Sequence, residues 1–211
     1  MDRCTEFTFG VPWVMGFFHR DWALDAPTEA EAVAGQFVEE LEPEAVLLVR
    51  RDARLLHDAL PADRVTVLWE GCVEGGERFF RRGRLTDGAA WMRQLTGVCD
   101  RWLARRPDPV TLSGADRYDG PELAGRARAA VEEFDGVLDE EVVRALTECV
   151  DRCTPDLAFR LLLRALPVRS DALSPGYLCL STERYARLAE LGAAFRYGEY
   201  VVGDVAHLVD A

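Results

Sequence analysis

Thr28-Glu29-Ala30-Glu31-Ala32-Val33-Ala34-Gly35-Gln36-Phe37-Val38-Glu39-Glu40-Leu41-Glu42-Pro43 is the stretch on which the fold turns. Thr28 followed three residues later by Glu31 is a capping-box signature, and Val33, Phe37, Val38 and Leu41 then mark one apolar helical face. The pattern predicts a helix over 29–41. Glu42-Pro43 restarts the chain with proline in a first helical turn, and Val46, Leu47, Val49, Leu55, Leu56 and Leu60 carry a second helix to Pro61. Two antiparallel helices are the expected result.

Downstream the helical period continues. Val65, Leu68, Trp69 and Cys72 fall at i, i+3, i+4 and i+7, which favours helix over the strand-like run Val65-Thr66-Val67. Glu74-Gly75-Gly76-Glu77 reads as a turn, and Phe79-Phe80-Arg81-Arg82 as a short extended or irregular piece. Thr86-Asp87 opens a helix over 88–105 with Trp91, Leu95, Val98, Cys99, Trp102 and Leu103 in one stripe. Pro107-Asp108-Pro109 and the polar run Ser113–Pro121 mark a linker at 107–120 between a first half, 1–106, and a second, 121–211. In the second half helices are expected at 121–136, 139–153 and 155–166. The last is apolar almost all round, hence central, and ends at Pro167. Tyr177–Leu180 reads as a short extended piece, Ser181 or Thr182 caps a helix to 191, and Tyr197–Val202 is a short strand or the entry to a final helix. The fold class expected is mainly α, a helical bundle with a second helical half and minor β structure near 177–202.

Composition narrows the function. The chain has 211 residues, 49% hydrophobic and 29% charged, as in an ordinary globular protein, and no stretch approaches the roughly 20 apolar residues of a bilayer span. The first residues carry acids where a secretory signal would be basic, so a cytoplasmic location and no membrane partner are expected. All 25 basic residues are Arg, and Lys, Ile and Asn are absent, which points to a GC-rich bacterial genome. With 37 acids the net charge is −12. Such a chain is a poor direct nucleic-acid binder and suits a basic partner. The charge is uneven: residues 1–70 carry −8, 71–120 carry +2 and 121–211 carry −6. Either the acidic segments are two contact surfaces, or Arg78, Arg81, Arg82 and Arg84 lie against acidic helices.

Catalytic signals are few. Without Lys there is neither a phosphate-binding loop of the G-x-x-x-x-G-K-[ST] type nor any lysine nucleophile. The six Cys form no C-x-x-C pair and His19, His57 and His207 do not accompany them, so core thiols are expected and no metal or other cofactor. His19 and Asp21 could supply an imidazole beside a carboxylate, but residues two apart on a helix do not face each other, and a hydrogen-bonded, partly buried structural histidine is the plainer reading.

The run Gly16-Phe17-Phe18-His19-Arg20-Asp21-Trp22, followed by Leu24-Asp25 and the capped helix, resembles the opening motif of contact-dependent growth inhibition immunity proteins of the CdiI type. Phe17, Phe18, His19, Asp21 and Trp22 match, and Arg20 stands where that family usually has Gln. A leucine-rich helix with Arg50-Arg51, the Gly71-Cys72 pair, the Phe79-Phe80 pair and a helix carrying Trp91 follow in a similar order, so the resemblance covers roughly residues 7–105. It implies a small helical antitoxin without catalytic activity. Such a protein binds the toxic C-terminal domain of a cognate effector, often a nuclease, and blocks its active site or substrate groove. It also implies that Phe17, Phe18 and Trp22 hold the N-terminal helix on the bundle, while Asp21 caps or pairs locally. Residues 107–211 depart from the family pattern.

Partner contacts are then expected on acidic surface: Glu39, Glu40 and Glu42 in the first half, and Glu132, Glu133, Asp135, Asp139, Glu140 and Glu141 in the second. The last six have a plainer reading as a solvated helix end and a charge-stabilised helix start, and a second one as a phosphate-mimicking surface. Two other functions remain open on sequence: an acidic helical adaptor for another basic protein, and a small hydrolase using His19 and Asp21.

Overall fold

The computed structural model describes residues 3–19, 21–82, 84–169 and 178–209, and within them every side chain but those of Asp25 and Arg82. Thr28 caps as its spacing requires: its Oγ1 accepts from the Glu31 N–H at 3.2 Å and donates to the Glu31 carboxylate at 2.7 Å. The helices in chain order are α1 (Val11–Met15), α2 (Trp22–Asp25), α3 (Glu29–Gln36), α4 (Pro43–Ala59), α5 (Ala62–Cys72), α6 (Gly88–Leu103), α7 (Ala124–Glu132), α8 (Glu140–Arg152), α9 (Pro155–Arg169), α10 (Thr182–Ala194) and α11 (Glu199–Gly203). The protein is mainly α.

Several boundaries differ from the expected ones, each for a local reason. The helix read over 29–41 stops at Gln36. The Phe37 carbonyl, which a continuing helix would offer to residue 41, instead accepts the Trp102 indole N–H at 2.8 Å. The expected antiparallel pairing of the first two long helices is also replaced: α4 packs along α6, and α3 packs against α2 and α6. Phe79–Arg82 is not extended, because Gly76–Arg78 and Phe80–Arg82 form 3-10 turns. Pro167 does not end its helix, which runs to Arg169 with the proline inside its last turn. No strand occurs among the described residues. The β structure expected near 177–202 reduces there to an isolated bridge between Leu180 and Val209, while Glu199–Gly203 is helical and Tyr177 lies outside the described residues.

The boundary read at 107–120 does not divide the core. α5 packs on α6 from the first half and on α8 and α9 from the second, and the buried apolar residues form one contiguous cluster through both. Gly71 marks how close the halves come, since a Cβ there would sit 2.7 Å from a Val142 methyl. Within the supposed linker, Ala115 and Asp116 are themselves buried. α9 is central as its apolar circumference requires, with every residue from Pro155 to Leu163 buried.

Candidate functional site

The aromatic motif builds core. Phe18 is fully buried, and its ring meets Trp22, Trp69, Phe79 and Trp91 edge-on at centroid distances of 5.1, 5.5, 5.1 and 5.8 Å. Edge-to-face pairs at these separations add about 0.5–1.5 kcal/mol each beyond the area they bury. Phe17, half-buried, lies against Trp13 at 4.9 Å. The motif therefore fastens the N-terminal segment to α5 and α6.

Its polar members stand outside this cluster. His19 is exposed, not partly buried, and its Nδ1 accepts the Asp21 backbone N–H at 3.3 Å. Asp21 is exposed and sits at the N-cap of α2 without a side-chain capping bond. With the imidazole nitrogen turned to a backbone amide, no His–carboxylate pair of the kind a hydrolase uses is assembled here. Arg20 lies outside the described residues.

The acidic candidates divide into two sets. Glu133 takes Arg187 through both carboxylate oxygens, Glu140 takes Arg144, and Glu141 takes Arg144 and Arg64 at 2.7 and 2.6 Å. These three are engaged with the protein's own arginines. Glu39, Glu40 and Glu42, in the link from α3 to α4, are exposed and form no ion pair among the described residues. The same holds for Glu132, Asp135 and Asp139 at the turn between α7 and α8. Of the arginines at 78–84, Arg78 pairs locally with exposed Glu77 at 3.4 Å, and burial raises the Glu70 carboxyl of α5 against the opposing positive charge of Arg81.

The sequence reading missed a charged layer inside the fold. Arg160, from the second turn of the central helix, reaches Asp52 of α4 at 2.7 Å and Asp156 of its own helix at 2.8 Å, and Arg3 meets Asp156 at 2.7 Å. All four side chains have zero exposure. Arg51 borders them, 3.3 Å from both Asp52 and Asp119. The Phe9 ring covers both buried guanidiniums, Arg160 at 4.2 Å and Arg3 at 4.7 Å. Gly10 is required there: its φ is +68°, and a Cβ would lie 1.8 Å from the Asp52 carboxylate that accepts the Val11 N–H. Burial pushes the Asp52 carboxyl upward, but Arg160, Arg51 and the Val11 amide together hold it below its ordinary value. At Asp119 burial wins over Arg51 and the carboxyl is raised. One signal was available in the sequence: Asp156 and Arg160 are spaced i, i+4 within a helix whose other charged residues are only Arg164 and Arg169.

Of the thiols expected in the core, Cys72, Cys99 and Cys149 are buried, Cys153 and Cys179 are partly so, and Cys4 is exposed. Burial pushes Cys72 and Cys99 up to about 12, which keeps them as neutral thiols. Among the described residues no group of His, Cys, Asp and Glu is arranged to hold a metal ion. No helix is long and apolar enough to cross a membrane.

Two surface cavities bear on binding. One of about 200 Å³ lies between Thr8, Arg160, Arg164, Pro167, Asp204 and His207, and one of about 270 Å³ lies between α3 and α6. Neither His19 nor Asp21 lines them. Comparisons with protein-family models, with curated proteins and with solved structures found no match.

Proposed function

We propose that the protein is an immunity protein, an antitoxin that binds a cognate toxin domain and occludes its active site or substrate groove. One observation carries this reading. The landmarks that the resemblance picks out along 70 residues of chain, Phe18, Trp22, Phe79 and Trp91, meet around a single ring. A chance likeness in sequence order would not require its matched residues to share one cluster. The motif then serves as scaffold, and recognition falls to surface that differs between members of such a family.

The net charge of −12 supports a basic toxin, of the kind that grips nucleic acid through cationic contacts. Glu39, Glu40, Glu42, Glu132, Asp135 and Asp139 are the carboxylates available for such a partner, since their charge is not committed internally. Glu133, Glu140 and Glu141 are weaker candidates for the opposite reason. Electrostatic complementarity of this sort raises the association rate and selects the partner, while a few buried anchors set the final affinity.

The experiment is co-expression with the C-terminal domain of any toxin-like protein whose gene lies immediately upstream. Restored growth together with a complex that co-purifies and survives gel filtration is the expected result. Growth arrest without complex formation, with both proteins shown to be folded, would overturn the pairing.

A further inference from the structure

The groove between α3 and α6 joins an apolar floor to unspent positive charge. Its floor is Phe37, Val98 and Trp102, all nearly fully buried, with Ala34 on the rim. The floor is fixed before any ligand arrives. The Trp102 indole is tied to the Phe37 carbonyl, the Phe37 ring leans on Trp102 at 6.3 Å, and Trp13 stacks behind Phe37 at 5.9 Å. Arg101 in the last turn of α6 and Arg105 in the turn that follows it, both exposed, form the cationic wall, with the Arg105 guanidinium 6.0 Å from the Trp102 ring centroid. Arg106 lies over the Trp102 ring at 3.7 Å and is held there by the Glu39 carbonyl at 3.2 Å, with its Nε buried and unpartnered.

Several arginines of this acidic chain are spent on its own carboxylates, Arg50 on Asp100, Arg64 on Glu141 and Glu148, Arg144 on Glu140 and Glu141, Arg187 on Glu133, while others, Arg54 and Arg93 among them, form no ion pair among the described residues. Acids outnumber arginines by 37 to 25, yet among the described residues no carboxylate lies within 4 Å of Arg101, Arg105 or Arg106. We propose that this groove docks a short acidic peptide segment of a partner protein, one apolar side chain seated on Val98 and Trp102 and flanking carboxylates taken by Arg101 and Arg105. Guanidinium forks bind carboxylates through two parallel hydrogen bonds, and Arg101 and Arg105 line the same groove, so both can take acids of one short segment. At about 270 Å³ the groove suits one anchoring side chain and not a large ligand. A nucleic acid fits the same wall less well, because a polyanion would meet the net −12 of the remaining surface.

The test uses the full chain and an acetylated, amidated pentapeptide with leucine at its centre and glutamate or aspartate at the other four positions, followed by titration calorimetry at low salt. Saturable binding with a Kd on the order of 100 μM is expected. The Arg101→Gln/Arg105→Gln variant should weaken it at least tenfold, and so should Ala34→Trp, which fills the groove from an exposed position. Circular dichroism melting of both variants, expected to match wild type, checks that they remain folded. An Arg101→Glu/Arg105→Glu variant should instead bind the same peptide with lysine at the four flanking positions. Absence of binding, binding unchanged in either groove variant, or a ten-residue oligothymidylate that binds as well as the peptide would overturn the proposal. The outcome is independent of toxin rescue, which involves other residues and another readout.

Discussion

Two dry regions of this molecule are built on opposite principles. Around Phe18 four aromatic rings exclude water and meet the Phe18 ring through shape, although the Trp69 and Trp91 indole N–H groups are buried there without a hydrogen-bond partner. Around Arg160 water is excluded equally, yet the side chains that meet are two arginines and two aspartates with zero exposure. The aromatic cluster gains from transfer out of water whatever its neighbours do, and tolerates modest changes of shape. The ionic layer first loses several kcal/mol of hydration per charge and recovers it only while every partner is in place. The first region makes the fold stable. The second makes it particular, tying the N-terminal segment through Arg3, the first half through Asp52 and the second through Asp156 and Arg160 into one arrangement.

The contrast is sharpest at Arg160. Arg160→Met leaves the Asp52 and Asp156 carboxylates buried with fewer partners, and a loss of about 3–5 kcal/mol is expected, read as a lowered urea midpoint at unchanged slope. Converting Arg3, Arg160, Asp52 and Asp156 together to apolar residues of similar volume should recover much of that loss, because the desolvation cost leaves with all four buried charges. Phe18→Ala follows, with about 3–4 kcal/mol from lost transfer energy and the cavity left among Trp22, Trp69, Phe79 and Trp91. Here a second deletion, Trp91→Ala, should deepen the loss instead of relieving it. Recovery in the aromatic series, or none in the ionic one, would erase the distinction.

The same contrast explains what could be read from sequence. Thr28, Pro43, Asp87 and Ser181 announce helix starts through local chemistry, and the stripe of α6 announces its buried face through periodicity. Both signals sit within a few residues of what they predict, and Asp87 and Ser181 do accept the Ala90 and Arg184 amides. The end of α3 was not legible, because it depends on an indole 65 residues away. Nor was the absence of a divide at 107–120: Pro and Gly mark the loop, but whether cores continue beneath it depends on faces such as that of α5, which serves both sides. The charged layer was hidden for a related reason, since Arg3, Asp52 and Asp156 are 49 and 104 positions apart and each alone reads as surface. Of the proposed binding surface, sequence supplied the carboxylates but not which were already spent on Arg64, Arg144 and Arg187, and it gave no sign of the arginine-lined groove.

Acid should act on one region and spare the other. The folded Asp52 carboxyl lies below its ordinary value, so its contribution is fully present above the unfolded pKa of about 3.9 and is lost as pH falls through the lower folded value. Asp119, raised when folded, works in the opposite sense: its contribution is present below that range and is lost as pH rises through the folded value. The gap in stability between wild type and Asp52→Asn should therefore be constant near neutrality and close below about pH 4. Phe18→Ala should stay a fixed distance below wild type over the same range. Parallel curves for both variants would mean that Asp52 does not carry its charge in the folded protein.

The smallest effect expected belongs to the residue that looked most chemical. His19 is exposed, and its imidazole accepts the backbone N–H of Asp21 two residues on, while Phe18 beside it is fully buried. Surface substitutions of this kind fall within about 0.5 kcal/mol, so His19→Ala should leave the melting curve almost unmoved beside the collapse caused by Phe18→Ala. Adjacent positions in one motif then differ several-fold in consequence, because one side chain points into the aromatic cluster and the other into water. If His19→Ala keeps full stability but abolishes binding to a cognate toxin, the motif is also a contact surface. If binding is untouched as well, its place beside Phe18 reflects the local turn alone, and the carboxylates at 39–42 and 132–139 become the first positions to change.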